Sequence, residues 1–248
     1  MRLSRIYHSQ PLAGVLNATL DESASRHLVR VLRLGVGARV IVFDGSGAEY
    51  PATISEISDD RVEVTLAEPR HPKIESPIDI TLAQGLVRGE RMDLILQKAT
   101  ELGVSRVIPV AMERCVTRLS QNRLEKRMRH WEGVLIGACE QSGRTVLPVI
   151  EPMQSSAELI ENSTESEYAS RLLLQADSAT GIDDIRQPPD GRILFWVGPE
   201  GGFDERESSA AIAKGFSPLR MGPRVLRTET AGLVALSLLQ ARFGDLGL

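Results

Sequence analysis

The sequence predicts an α/β protein: a largely parallel sheet with helices on both faces, preceded by a small β-rich domain. Three observations predict it. Over residues 78–248, apolar runs too short for helices alternate with amphipathic helical stretches, the pattern of a parallel sheet covered on both sides. Residues 1–68 instead carry closely spaced strand signals and one helix. Between the two lies Glu68-Pro69-Arg70-His71-Pro72-Lys73-Ile74-Glu75-Ser76-Pro77, with three prolines and no periodicity. Residues 69–77 therefore read as a linker.

The elements follow in chain order. A helix over residues 23–33 places Leu28, Val31 and Leu32 on its inner face. Strands over 38–43 and 50–57 flank an Asp44-Gly45 turn, and 61–66 adds a third. After the linker, 78–86 reads as a strand. Met92, Ile95, Leu96, Ala99 and Leu102 recur at helical spacing over 91–102, and Gly103 closes that helix. Residues 105–110 form a strand. Leu124, Met128, Trp131, Leu135 and Cys139 mark a long helix with Gly143 as its stop. Residues 146–150, 171–175, 192–197 and 216–221 supply further strands, with helices between, while the polar stretch 162–167 reads as a mobile loop.

Two glycine-bearing segments carry the functional signal: Val197-Gly198-Pro199-Glu200-Gly201-Gly202-Phe203, and Met221-Gly222-Pro223-Arg224-Val225-Leu226-Arg227-Thr228-Glu229-Thr230-Ala231. Each follows a strand and opens a helix. In open α/β sheets ligands bind beyond the carboxyl ends of strands, so two such loops suit one small cofactor. Gly201 and Gly202 permit close backbone approach or positive φ. Asp204 stands three residues before Glu207, an N-cap and N3 pair for a helix over 205–214. The second helix, from Ala231 to Ala241, is apolar nearly all round, which demands burial in the core or against a partner. Thr228 or Thr230 is placed to cap it. The spacing is not G-x-G-x-x-G, and no G-x-x-x-x-G-K-[ST] occurs, so neither a dinucleotide fingerprint nor a P-loop is supported.

Composition sets bounds. The longest apolar run falls far short of ~18 residues, so no membrane span is expected. Met1-Arg2-Leu3-Ser4-Arg5-Ile6-Tyr7 has no apolar core of a signal peptide, which points to the cytoplasm. Cys115 and Cys139 lie far apart without ligand partners at metal spacing, so they read as small buried thiols and no metal is expected. The net charge is −4, unevenly placed. Residues 1–40 hold six arginines against Asp21 and Glu22, whereas residues 151–210 hold thirteen acids against four arginines. That asymmetry suggests one face toward a polyanion. Arg2, Arg5, Arg30 and Arg33 in the short N-terminal module are read as RNA contacts. Arg123, Lys126, Arg127 and Arg129 fit either an RNA-facing surface or the wet side of an amphipathic helix.

With these residues in view, the chain resembles the small-subunit (16S) ribosomal RNA (uracil-N3)-methyltransferases of the SPOUT superfamily. The two loops carry the resemblance. Lys98-Ala99-Thr100-Glu101-Leu102-Gly103-Val104, Ala138-Cys139-Glu140-Gln141-Ser142-Gly143-Arg144, His27-Leu28-Val29-Arg30-Val31-Leu32-Arg33 and Phe43-Asp44-Gly45-Ser46-Gly47 extend it over nearly the whole chain, in the family's order. Met221 stands where the family more often has leucine. The resemblance implies a PUA-like β-barrel RNA-binding domain over 1–68. It implies a SPOUT methyltransferase domain over 78–248 with a C-terminal trefoil knot, although topology rules alone predict none. It also implies S-adenosyl-L-methionine as cofactor, 16S rRNA or the small ribosomal subunit as partner, and a homodimer.

The residues can be given roles on that basis. The cofactor is expected against Leu174, Gln175, Val197, Gly198, Pro199, Glu200, Gly201, Gly202, Met221, Gly222, Val225, Leu226, Thr228, Thr230 and Ala231, with Val225 and Leu226 enclosing the adenine. The acceptor, N3 of a uridine (uridine 1498 by family analogy), carries a proton at neutral pH. A base could add ~10²–10⁴-fold, and a cation could stabilise charge developing on the flanking carbonyl oxygens. Glu229 and Arg227 are the candidates, with Glu200 and Glu140 as rival bases. Arg144 reads as a phosphate or base contact, and His27 as RNA-facing or structural. Two rivals remain at this level: a non-enzymatic rRNA-binding or assembly factor, and a knotted methyltransferase with another nucleoside target.

Overall fold

In the computed structural model the described residues are 3–59, 61–116, 121–186, 188 and 191–247. They divide into two compact units, Met1–Glu75 with Ile136–Leu147, and Ser76–Leu135 with Pro148–Leu248.

The first unit is built on strands β1 (Ser4–Tyr7), β2 (Asn17–Thr19), β3 (Arg39–Phe43), β4 (Glu49–Ser58) and β5 (Arg61–Leu66), in the order β1-β3-β4-β5-β2. β1 runs parallel to β3, and the other pairings are antiparallel. Alternation makes the core. Val62, Val64 and Leu66 of β5 face inward with Val40, Val42, Ile54 and Ile6, and the intervening residues of β5 are exposed. Between β2 and β3, helix α1 (Glu22–Arg26), capped by Asp21 on the Ala24 N–H, runs into a π turn, His27–Val31. The π turn changes the expected outcome. Leu28 is fully buried, but Val31 is 65% exposed and Leu32 36%. A π turn takes up an extra residue, so the side chains after it rotate off the face that a regular helix would bury.

Buried ion pairs tie the rest of this unit together. The Arg5 guanidinium pairs with Glu49, donates to the Arg144 carbonyl at 3.2 Å and lies 5.1 Å above the Phe43 ring. Glu75 accepts from Arg144 Nε at 2.8 Å and from the Thr145 and Val146 N–H groups at 2.9 and 3.1 Å. Glu140 accepts the Tyr7 N–H at 3.0 Å, and burial pushes its carboxyl above the ordinary range against that donor. Burial also pushes the neighbouring Cys139 thiol up to about 12.

The second unit is a sheet in the order β12-β10-β11-β6-β7-β8, with β9 also on β7, and every pairing is parallel. Its strands are β6 (Asp79–Gly85), β7 (Arg106–Ala111), β8 (Val149–Ile150), β9 (Gln154–Ser155), β10 (Ser170–Leu174), β11 (Arg192–Val197) and β12 (Ser217–Leu219). Its helices are α2 (Glu90–Glu101), α3 (Gln121–Ser142), α4 (Ser156–Asn162), α5 (Glu205–Ala213) and α6 (Thr228–Phe243); α3 from Ile136 onward belongs to the first unit. Parallel strands buried on both faces explain the unbroken apolar runs. Ile193, Phe195 and Val197 of β11 face a core with Ile95 and Leu96 of α2, Trp131 of α3 and Leu236 and Leu239 of α6. Leu194 and Trp196 face a second core with Leu159 of α4 and Ala211 of α5.

Removing the Glu75 carboxylate leaves a buried guanidinium and two N–H groups without their acceptor. Glu75→Ala is therefore expected to lower the stability of the first unit by about 3 kcal/mol. Exposed Glu68→Ala should change it by less than about 0.5 kcal/mol. Urea unfolding of both variants checks this, and equal midpoints would refute the role given to the pair.

Candidate active site

The carboxyl ends of β10 and β11 and the start of α6 surround a cavity of about 860 Å³. That is the size range of small-molecule and cofactor sites. The first glycine loop forms one wall, and close contacts hold it. Gly85 at the end of β6 has no room for a side chain: a Cβ there would meet Pro199 N and Cδ at 2.7 Å and Met112 Sδ at 2.8 Å. Gly201 lies similarly on Arg114, where a Cβ would come within 2.9 Å of Arg114 Cβ and 3.1 Å of its carbonyl oxygen. Gly202 turns the chain at φ +68°, donating its N–H to the Pro199 carbonyl at 2.9 Å. Phe203 packs edge-on to buried Trp196, ring centroids 5.1 Å apart. Asp204 caps α5 in a capping box with Glu207, as its spacing predicts. Glu200 reaches back to Arg91 at 3.0 Å and to the Arg88 N–H at 3.3 Å.

The second loop closes the other side. Val225, Leu226, Arg227, Thr228, Glu229 and Ala231 line the cavity together with Leu174, Gln175, Val197, Gly198, Pro199, Glu200 and Gly202. Met221 and Gly222 line a smaller adjoining recess of about 90 Å³, which shares Leu174, Gln175, Val225, Leu226 and Ala231. Val225 is 85% exposed, an apolar side chain at the rim of the opening. The carboxylate oxygen Oε2 of Glu229 and the amide oxygen Oε1 of Gln175 are buried without a hydrogen-bond partner among the described residues. Arg227 is exposed, and among the described residues no ion pair joins it to Glu229. The cavity thus offers apolar walls, two buried acceptors and a solvent-facing guanidinium.

Several sequence expectations meet a different geometry. Gly201 does not line the cavity; its missing side chain serves the contact with Arg114. Thr230 is exposed on the first turn of α6 and lines neither cavity. Neither threonine caps α6, whose N-cap is Arg227 with no side-chain bond. The buried Thr228 hydroxyl instead donates to the Gly198 carbonyl at 2.6 Å and accepts from Gln84 Nε2 at 3.0 Å. The strand expected over 216–221 is Ser217–Leu219, which leaves Met221 free to line the recess.

In the first unit, His27, Arg30 and Arg33 are exposed, whereas Arg5 and Arg144 are buried in the ion pairs described above and cannot face a polyanion as expected. Arg2 lies outside the described residues. Glu140 belongs to this unit and is occupied by the Tyr7 N–H. Arg123, Lys126 and Arg129 are exposed on α3. Sequence reading missed Gln84, Gly85, Arg91 and Arg114. The one available signal was Gln84-Gly85 interrupting the apolar run of β6.

The contact with Arg114 gives a direct test. Gly201→Val forces the loop off Arg114, whereas Gly202→Ala meets open space and bears only the strain of positive φ, about 1 kcal/mol. Gly201→Val is expected to lower the thermal midpoint further than Gly202→Ala. Calorimetric scans decide, and equal midpoints would mean that Arg114 does not hold the loop.

Comparison with known proteins agrees along the whole chain. Residues 74–240 match the RNA methyltransferase domain, and residues 20–67 match the RNA methyltransferase PUA domain. The ribosomal RNA small subunit methyltransferase E of Buchnera aphidicola (Schizaphis graminum) is 30% identical over 99% of this chain and 98% of its own. That of Bacillus subtilis is 31% identical over 85% and 84%. Among solved structures, a methyltransferase from Legionella pneumophila with bound S-adenosylmethionine superposes with a TM-score of 0.94 at 36% identity, covering 99% of this chain and 100% of its own. The Neisseria gonorrhoeae ribosomal RNA small subunit methyltransferase E, bound to S-adenosyl methionine, gives 0.91 at 36% identity over 98% and 99%. With a match to the methyltransferase domain across more than half its length, this chain belongs to the ribosomal RNA small subunit methyltransferase E family.

Proposed function

We propose that this protein uses S-adenosyl-L-methionine to methylate N3 of one uridine in 16S rRNA, uridine 1498 by family analogy. The observation that carries the proposal is the cavity, where both glycine loops meet and which Arg227 and Glu229 both line. The residues present fit the cofactor. The volume suits it, Leu174, Val197 and Leu226 offer apolar surface, and the unpartnered Gln175 and Glu229 oxygens can accept from its donors or from the base. When bound, S-adenosylmethionine supplies an electrophilic methyl group on a sulfonium. Transfer to N3 requires the N3–H bond to break, and Glu229 Oε2 is the acceptor for that proton. The electrons of that bond become the nucleophilic pair, with charge spread to the flanking carbonyl oxygens. Arg227, exposed at the cavity, stabilises that charge. Glu200 is held by Arg91 and the Arg88 N–H, so Glu229 is the better base. Among the described residues no three His, Cys, Asp or Glu side chains gather at metal-binding distance.

The same reading extends to partners. RNA affinity is assigned to Arg30 and Arg33 of the N-terminal module, and chemistry to the loops. α6 leaves Leu238 38% exposed and Leu233 and Val234 half-buried in the single chain, which supports a two-fold dimer through this helix; light scattering showing a monomer at micromolar concentration would refute it. The C-terminal knot is supported by the return of α6 from edge strand β12 to β6 and β11. A crystal structure tracing residues 219–228 past 174–181 tests it. A ribosomal RNA substrate supports a cytoplasmic location, which cell fractionation checks.

Calorimetry should show S-adenosylmethionine binding that a chelator leaves unchanged, and abolition by the chelator would overturn the metal-free reading. Mapping N3-methyluridine in rRNA from cells with and without the gene should show one position unmethylated in its absence. Arg227→Ala should lower single-turnover methyl transfer with RNA affinity retained. Replacing Arg30 and Arg33 together should weaken RNA binding and flatten its salt dependence, by about 0.7 in slope on single strands for each phosphate that is no longer neutralised, with cofactor affinity unchanged. Equal reductions of binding and rate in both would refute this division of labour.

A further inference from the structure

We infer that Gln84 and Thr228 form a clamp that positions the two glycine loops for cofactor binding and methyl transfer. The inference rests on the reading of the cavity given above. Gln84 is fully buried in β6, on the face that carries Ile80 and Leu82 toward α6. An uncharged amide in such a place is costly unless its bonds are used. Here they are directed. Gln84 Nε2 donates to the Gly85 carbonyl at 2.9 Å and to Thr228 Oγ1 at 3.0 Å. Thr228 Oγ1 donates in turn to the Gly198 carbonyl at 2.6 Å.

A carbonyl oxygen only accepts, so the polarity of the chain is fixed: amide to hydroxyl to carbonyl. The amide cannot be flipped, because both its partners need a donor. The consequence of that orientation is visible at the other end of the amide, where Oε1 is buried without a partner. The three groups join the end of β6, the end of β11 and the first residue of α6, segments 144 and 30 residues apart in the chain.

The clamp lies beside the reacting groups without being one of them. Gly198 and Thr228 line the cavity, and Arg227 and Glu229 flank Thr228 on either side. A shift of the first turn of α6 away from Gly198 would carry both candidate catalytic side chains with it. Misplacement on that scale is what positioned catalysis tolerates least. Thr228 is thus a positioning residue whose donor is committed within the protein. Gln84 acts one step further out, through Thr228.

The test uses the full chain. Thr228→Val keeps the side-chain shape, removes the acceptor of one Gln84 Nε2 hydrogen while the bond to the Gly85 carbonyl stays, and takes the Thr228 donor from the Gly198 carbonyl. At temperatures well below its unfolding midpoint it is expected to bind S-adenosylmethionine about tenfold more weakly by calorimetry, with a similar fall in single-turnover rate at saturating cofactor. Thr228→Ser, which restores the hydroxyl, should recover both to within about twofold. Gln84→Met gives the same readout should Thr228→Val fail to fold. In the wild type, amide exchange over 198–203 and 226–231 should open as one unit, and independent opening would overturn the clamp. A folded Thr228→Val or Gln84→Met protein with wild-type affinity and rate would also overturn it. Wild-type protein that binds no S-adenosylmethionine would instead overturn the reading of the cavity.

Discussion

The parallel pairing of β6 with β11 is the constraint on which the site depends. Six residues of each strand pair in register, from Asp79 with Arg192 to Gln84 with Val197. Both strands are buried on both faces, so a slip by one residue would exchange every core side chain between the two cores. The register ends with Gln84 level with Val197, and the next residues are Gly85 and Gly198. That is why Pro199 can settle on Gly85, with no Cβ in its way, and why Gln84 stands where Thr228 can receive its donor. Phe203 against Trp196 adds about 0.5–1.5 kcal/mol beyond its buried area and fixes where the loop rejoins the fold. The loop is shaped by its contacts with the sheet.

The first unit works under a different constraint. It is small, and a small core leaves little margin. Its buried arginines compensate by joining segments far apart in sequence: Arg5 bonds to Glu49 and the Arg144 carbonyl, and Arg144 to Glu75. Such pairs add less net stability than their Coulomb attraction suggests, yet breaking one strands a charge. They also take basic residues out of contact with any polyanion. The positive charge that composition counts in residues 1–40 is therefore smaller at the surface: Arg26, Arg30, Arg33 and Arg39 are exposed, and Arg26 pairs with Glu22.

What the sequence made legible follows physical reach. The strands and helices of the second unit were legible because burial on two faces writes long apolar runs, and Asp204 with Glu207 because capping is local. The helix over 23–33 failed at Val31 and Leu32 because a π turn leaves no mark on apolar spacing. β1, β2 and β9, two to four residues each, are too short to show a period, and of the strand read over 146–150 only Val149–Ile150 pairs. Thr228 read as a cap because its local position suits one, whereas its partners lie 30 and 144 residues away. Arg5 and Arg144 read as RNA contacts for the same reason: a carboxylate partner distant in sequence is invisible to a local count of charge.

The buried acceptors at the cavity bear most directly on mechanism. Gln84 Oε1, Gln175 Oε1 and Glu229 Oε2 all lack partners among the described residues, and each such atom costs stability in a folded chain. Gln84 has an internal reason, since its amide is oriented for Thr228. Gln175 and Glu229 have none among the described residues, and both line the cavity. Surplus acceptors beside a cavity cost least when a ligand or a transferring proton completes them. Under the proposed function, Glu229 takes the proton from N3 while Arg227 steadies the charge left on the ring. An acceptor that is completed only as a reaction proceeds costs stability at rest and favours the transition state over the bound substrate.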